Sequence, residues 1–226
     1  MKNELSVPTT IHWHGVEVPN AMDGVPDVTQ KAIQTGETFV YEFTAKPAGT
    51  FMYHPHYEDD VRVMAGLYAP FIIDPKIPEI NPPAVDKTLM ISEWLLRGGQ
   101  TYAAMPMSGM EPNYFTINGK SFPITEAITV KKGERIRLCL IAFGQFIHLI
   151  HLHGMPFKIV AIDGHPIPEA AQLTKDTVSV PPDERYDIGF IAAETGQWML
   201  HCNILHHTTY DNVGLGGLMM VINVVE

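Results

Sequence analysis

Hydrophobic and polar positions alternate along this chain in short runs, and glycine and proline separate the runs. "TFVYEFTA" (38–45) has the period of two expected of a half-buried strand. The same pattern recurs in "GTFMYHPH", "LYAPFIIDP", "KTLMISEWLL", "AITV", "RIRLCLIAF", "FKIVAIDG", "DTVSV", "YDIGFIAA", "QWMLHC" and "LMMVINVV". "KKGE", "DGHP" and "PPDE" supply turns between several of them. Only "PEAAQL" reads as a short helical turn. Many short strands with this punctuation predict an all-β chain of sandwich or barrel type. The proline-rich stretch "DPKIPEINPPAVD" (74–86) cannot continue a central strand and reads as a semi-rigid linker. Two domains are therefore expected, one over residues 1–77 and one over 78–226. The first is short of strands for a closed sandwich. It reads as truncated at its N-terminus, or as completed by a partner chain.

Composition narrows the function classes. The chain has 226 residues with 18 glycines and 18 prolines, which suits a globular, loop-rich protein. A net charge of −10 argues against nucleic acid as a partner. Lysines are scattered and no apolar run approaches a membrane span, so no membrane role is expected. Met1–Lys2–Asn3 leads straight into "ELSVPTTIHWHG" with no visible signal peptide. The abrupt start suggests a trimmed chain and leaves the compartment open.

Histidine is the unusual residue: there are 11, most of them in tight groups. "HWH" (12–14), "HPH" (54–56), "HLIHLH" (148–153) and "HCNILHH" (201–207) carry the chemistry. On a strand, residues i and i+2 share a face. His12/His14, His54/His56, His151/His153 and His201/Asn203 would each point two side chains one way, and Cys202 would point the other way. One strand could then join two metal sites. Cys139 lies in the alternating run "RIRLCLIAF" and reads as a buried thiol rather than a disulfide partner of Cys202. One zinc ion would use four ligands and leave most of the histidines unexplained. One cysteine, two histidines and a weak axial ligand form the blue-copper pattern, and the remaining imidazoles then call for further metal ions.

"TTIHWHG", "FMYHPH", "HLIHLHG" and "WMLHCNILHH" resemble, in order, the four copper motifs of laccase-type multicopper oxidases. "TINGKSFP" and "DTVSVPPDERYDI" fit the last domain of that family. The resemblance covers nearly the whole chain and implies two cupredoxin-like Greek-key β-sandwich domains. It implies copper as the cofactor, with a type 1 ion and a type 2/type 3 trinuclear cluster. The type 1 copper would take His148, Cys202 and His207, with Leu218 or Met219 in the axial position. The type 2 copper would take His12 and His151. One type 3 copper would take His56, His153 and His201, and the other His14, His54 and residue 203. That residue is histidine in the family and Asn203 here. An amide oxygen is a harder, weaker ligand for copper, which puts this ion in question. Cys202 and His201 would carry electrons between the sites, and Asp23 in "AMDGVPDV" would orient a ligand or supply protons.

The small two-domain members of this family assemble as homotrimers with the cluster between subunits. The resemblance therefore implies a homotrimer, a small reducing substrate, dioxygen as acceptor, and a periplasmic or secreted location. Three other readings compete. One is an electron-transfer cupredoxin with a degenerate cluster. Another is a cuprous-ion oxidase of copper tolerance, for which the thioethers of "MPMSGM" (105–110) are suited. The last, a copper nitrite reductase, would need far fewer histidines. His165 is expected in a turn and His206 as a surface neighbour of His207.

Overall fold

The computed structural model describes all 226 residues. Three strands lie in the N-terminal part: β1 (His12–His14), β2 (Gly49–His54) and β3 (Ala69–Ile73). They form an antiparallel sheet in the order β1-β2-β3. A single helical turn, α1 (Asp59–Arg62), follows β2. Residues 38–45 differ from expectation, because they join no sheet ladder. Their alternation is nevertheless real. Phe39, Tyr41 and Phe43 are half-buried, whereas Val40, Glu42 and Thr44 are exposed. The segment is extended and only its start is paired: Thr38 forms an isolated antiparallel bridge with Lys2, and the Phe39 N–H donates to the Met1 carbonyl at 2.9 Å.

The remainder is a two-sheet sandwich. Its first strands are β4 (Val85–Arg97), β5 (Gln100–Tyr102), β6 (Tyr114–Ile117), β7 (Ile128–Lys131) and β8 (Arg135–Phe143). There follow β9 (His148–Leu152), β10 (Phe157–Ile162), β11 (His165–Pro166), β12 (Thr174–Lys175) and β13 (Thr177–Val180). The last are β14 (Arg185–Ile191), β15 (Gly196–Cys202) and β16 (Met219–Val225). One sheet runs β11-β10-β14-β8-β4-β5, with β6 on β4 and β12 on β10; the other runs β13-β9-β15-β16-β7. "PEAAQL" holds a 3-10 turn at Glu169–Ala171.

Between the sheets lies a core of 26 buried residues, including Leu89, Leu138, Leu140, Ile150, Leu200 and Ile222. Each such side chain contributes about 1.5–3 kcal/mol by leaving water. The N-terminal sheet leans on this sandwich through β2, which touches β11 and β14. Thr50 Oγ1 donates to Asp187 Oδ2 at 3.2 Å across the contact. The approach is close enough to exclude side chains, because a Cβ on Gly49 would lie 2.1 Å from the carbonyl oxygen of Gly164.

Strand β9 alternates cleanly. His148, Ile150 and Leu152 are buried, whereas Leu149 and His151 are partly exposed. Its register on β15 pairs Cys202 with Ile150 and His201 with His151. On the other side of β15, His201 pairs with Met219, so Cys202 stands opposite Leu218. The Cys202 N–H donates to the Leu218 carbonyl at 3.0 Å. Leu218 and Cys202 belong to the core cluster between the sheets. Met219, paired with His201, lies on the other face.

Candidate metal centre

Three donors meet on the inner face of the β9/β15 sheet. The ligand atoms of His148, Cys202 and His207 lie within 4.8 Å of one another, and all three residues are buried. Nδ1 of His148 is 3.2 Å from Nδ1 of His207, which is 3.4 Å from Cys202 Sγ. β9 supplies His148, the end of β15 supplies Cys202, and the 3-10 turn Leu205–Thr208 folds His207 back over them. Stacking of His207 on Phe115, with ring centroids 4.2 Å apart, fixes its plane. His206 turns aside, with Nε2 donating to the Pro112 carbonyl at 2.9 Å. Burial lowers the His207 pKa to about 3, helped by the charges of His148 and His206. Its lone pair is therefore free at ordinary pH, as a metal requires. Burial also raises the Cys202 pKa, so a metal ion must displace the thiol proton.

A second set gathers on β1 and the end of β2. Ligand atoms of His12, His14 and His54 lie within 4.8 Å of one another. Nδ1 of His14 is 3.4 Å from Nε2 of His54, and His56 stands 5.6 Å from His12 between ring centroids. The His14 pKa falls to about 3 through burial first, then through Arg185 and the neighbouring imidazoles. Asp23 is beside this set: its Oδ1 is 3.4 Å from His12 Nδ1, and its backbone carbonyl is nearer, at 2.8 Å.

A third set occupies the outer face of β9 and β15. Nε2 of His153 is 2.8 Å from Nε2 of His201, and the His151 ring lies 5.0 Å from that of His153. The His153 pKa is lowered, chiefly by desolvation and then by His201 and His151. Asn203 follows β15, is exposed, and donates its backbone N–H to the Leu149 carbonyl at 2.7 Å. No imidazole of the second set bonds to one of the third within the chain.

Tautomers follow from the acceptors. Nδ1 of His12, His54, His151 and His201 each faces a backbone carbonyl, of Asp23, Pro55, Asp176 and Cys202 respectively, at 2.8–2.9 Å. A carbonyl only accepts, so each Nδ1 carries the proton and each Nε2 offers its lone pair. Nitrogen and thiolate donors of this kind fit copper.

Sequence reading missed Glu93. Its carboxylate is fully buried and lies 3.1 Å from Nε2 of His148. It was detectable in principle, because Leu89, Ile91, Glu93 and Leu95 alternate in the buried register of β4. His165, expected in a turn, instead begins β11 and pairs with Ile162, directly after the turn at Asp163 and Gly164. A groove of about 770 Å³ is lined by residues such as Arg137, Phe157 and Phe190 and by no histidine or cysteine.

The sequence matches family profiles described as multicopper oxidase over residues 1–77 and again over 99–225. The blue copper oxidase of Nitrosomonas europaea has a similar structure: 39% identity, a TM-score of 0.88, and coverage of 99% of this chain and 71% of that one. Copper resistance protein A of Escherichia coli is 41% identical over 96 residues, 42% of this chain and 15% of its own length. The "Probable nitrite reductase-hydroxylamine oxidoreductase fusion protein" of Kuenenia stuttgartiensis is 27% identical over 97% of this chain and 25% of its own length. The chain thus spans a quarter or less of these two curated relatives. With both halves matched by the same family and the sandwich shared with its solved members, the chain belongs to the multicopper oxidases.

Proposed function

We propose that the chain is a laccase-like oxidase. It couples one-electron oxidation of a phenolic or similar small donor to four-electron reduction of dioxygen to water. The observation that carries this reading is the back-to-back arrangement on β15. Cys202 faces a buried donor set with His148 and His207, and its neighbour His201 faces an imidazole set with His151 and His153. Bound copper would supply one-electron acceptance at the thiolate set and dioxygen reduction at the imidazole sets.

The chain's residues divide the work. His148, Cys202 and His207 hold the type 1 ion, with Leu218 rather than Met219 facing them, since Leu218 stands opposite Cys202. His12 and His151 serve the type 2 ion. His153, His201 and His56 serve one type 3 ion, in line with the 2.8 Å contact of the first two. His14 and His54 serve the other, in line with their 3.4 Å contact, and Asn203 completes it. Asp23 holds the His12 imidazole through its carbonyl, and its carboxylate is placed to relay protons. Cys202 and His201 are consecutive, so one peptide unit bridges the two donor sets. On either side of His207, the chain exposes Leu205, Tyr210, Val213 and Leu215, an apolar surface suited to an aromatic donor.

The second and third sets do not meet within one chain, which favours a homotrimer closing each cluster between neighbours. Similarity to copper resistance protein A makes Cu(I) a second candidate donor. The test is to load the protein with copper, count the metal, and follow oxygen uptake with a phenol, with Cu(I) and with neither. Copper near about four per subunit with donor-dependent uptake is expected. One blue copper without uptake would establish an electron-transfer protein instead. Reduction of added nitrite without oxygen uptake would establish a nitrite reductase.

A further inference from the structure

We propose that Glu93 is a positioning residue for the type 1 site. It would lock His148 in the copper-binding tautomer and hold the site's reduction potential down. The proposal rests on the copper reading above.

The geometry around this carboxylate is over-determined. Glu93 and His148 have side chains with no solvent exposure, and Oε2 lies 3.1 Å from His148 Nε2. Oε1 accepts the backbone N–H groups of Gln145 and Phe146, the latter at 3.1 Å. Space for it is reserved by Gly144, where φ is +136° and a Cβ would fall 1.9 Å from Oε1. An ionised carboxylate has acceptors only. His148 must then donate from Nε2, which leaves Nδ1 unprotonated and aimed at His207 Nδ1, 3.2 Å away.

His148 differs in this from the other imidazoles whose tautomer is fixed. His12, His54, His151 and His201 have neutral backbone carbonyls as their nearest acceptors. Only His148 has a fully buried carboxylate as the nearest acceptor of its ring N–H. A negative charge in a dry site makes the imidazole a stronger donor and favours the more positive metal state. Copper(II) is therefore stabilised over copper(I), opposite to the effect of the apolar Leu218.

Glutamine fills the same space but cannot satisfy both sides. If its oxygen faces His148, its NH₂ opposes the N–H groups of Gln145 and Phe146. If its oxygen faces those groups, its NH₂ must donate to Nε2, which moves the His148 proton to Nδ1 and blocks the metal.

Three measurements test the proposal. In the metal-free wild type, long-range ¹H–¹⁵N spectra should show His148 as the Nε2–H tautomer. A proton on Nδ1 would overturn the proposal, whether or not any variant folds. In the copper-loaded proteins, redox titration of the thiolate-to-copper absorption band should show Glu93→Gln with a Cu(I)/Cu(II) ratio at least about tenfold higher at fixed potential, ~59 mV for one electron. Competition with a chelator should show copper retention at this site weakened by about 10–100-fold. A band in both proteins with equal potential and retention defeats the role of Glu93 alone. No band in the wild type defeats the type 1 assignment itself.

Discussion

Asn203 and Leu218 are the two residues where this chain's donor chemistry is least like that of an all-histidine, thioether-capped copper protein. Asn203 is exposed beside the outer imidazole set. Replacing it with histidine should raise copper content and oxygen turnover, read by metal analysis and an oxygen electrode. Unchanged values would make the position irrelevant to the cluster. Leu218→Met should place a thioether opposite Cys202 and lower the Cu(I)/Cu(II) ratio, on the order of tenfold, in a redox titration. Cys139 provides a control away from copper. Burial, then Asp187, pushes its thiol up to about 12, from 9.0. The folded state keeps the proton while the unfolded state loses it, so stability falls as pH rises from about 9 to 12. A Cys139→Ala variant should lose that part of the slope in denaturation curves at pH 8 and 10.

At the scale of elements, the site was legible because most of its residues lie on strands or directly at their ends. The His-x-His pairs and the opposed Cys202 follow from a period of two, and β9 and β15 place them accordingly. The axial choice was not legible, because it depends on which residue of β16 stands across from Cys202. Register is a property of pairing, and a one-residue slip moves every side chain to the other face. Residues 38–45 make the same point: their alternation was visible, but not that their pairing stops at one bridge, Thr38 to Lys2. The register of β4 marks Glu93 as facing inward, with Leu89, Ile91 and Leu95, but not which imidazole it meets, because His148 lies on another strand. Close packing between elements was equally hidden. Gly49→Ala would drive a Cβ against the Gly164 carbonyl, at a backbone φ of +157°. It should cost about 1–3 kcal/mol, several degrees of melting temperature, by calorimetry.

For the whole molecule, the fold carries one donor set inside a chain and two half-sets apart. His14→Ala damages the half-set on β1 and β2, and His201→Ala damages the one on β9 and β15. If neighbours share clusters, each variant alone should be inactive. Mixed subunits, dissociated and reassembled, should recover part of the oxygen uptake. No recovery, with both variants shown by light scattering to assemble, would refute a cluster built between subunits. The net charge of −10 and the lack of any helix long and apolar enough to cross a membrane are features of the whole chain that bear on neither site.

The burial of His148, Cys202 and His207 within one chain has a consequence for maturation. Their pocket is closed by β4, β9, β15 and the turn after Cys202, with nothing required from a neighbour. The imidazole half-sets, by contrast, await a second subunit if clusters are shared. Colour should then come before catalysis: a dilute, newly folded chain would turn blue with its first metal ion. It would begin to consume oxygen only when concentration brings the half-sets together.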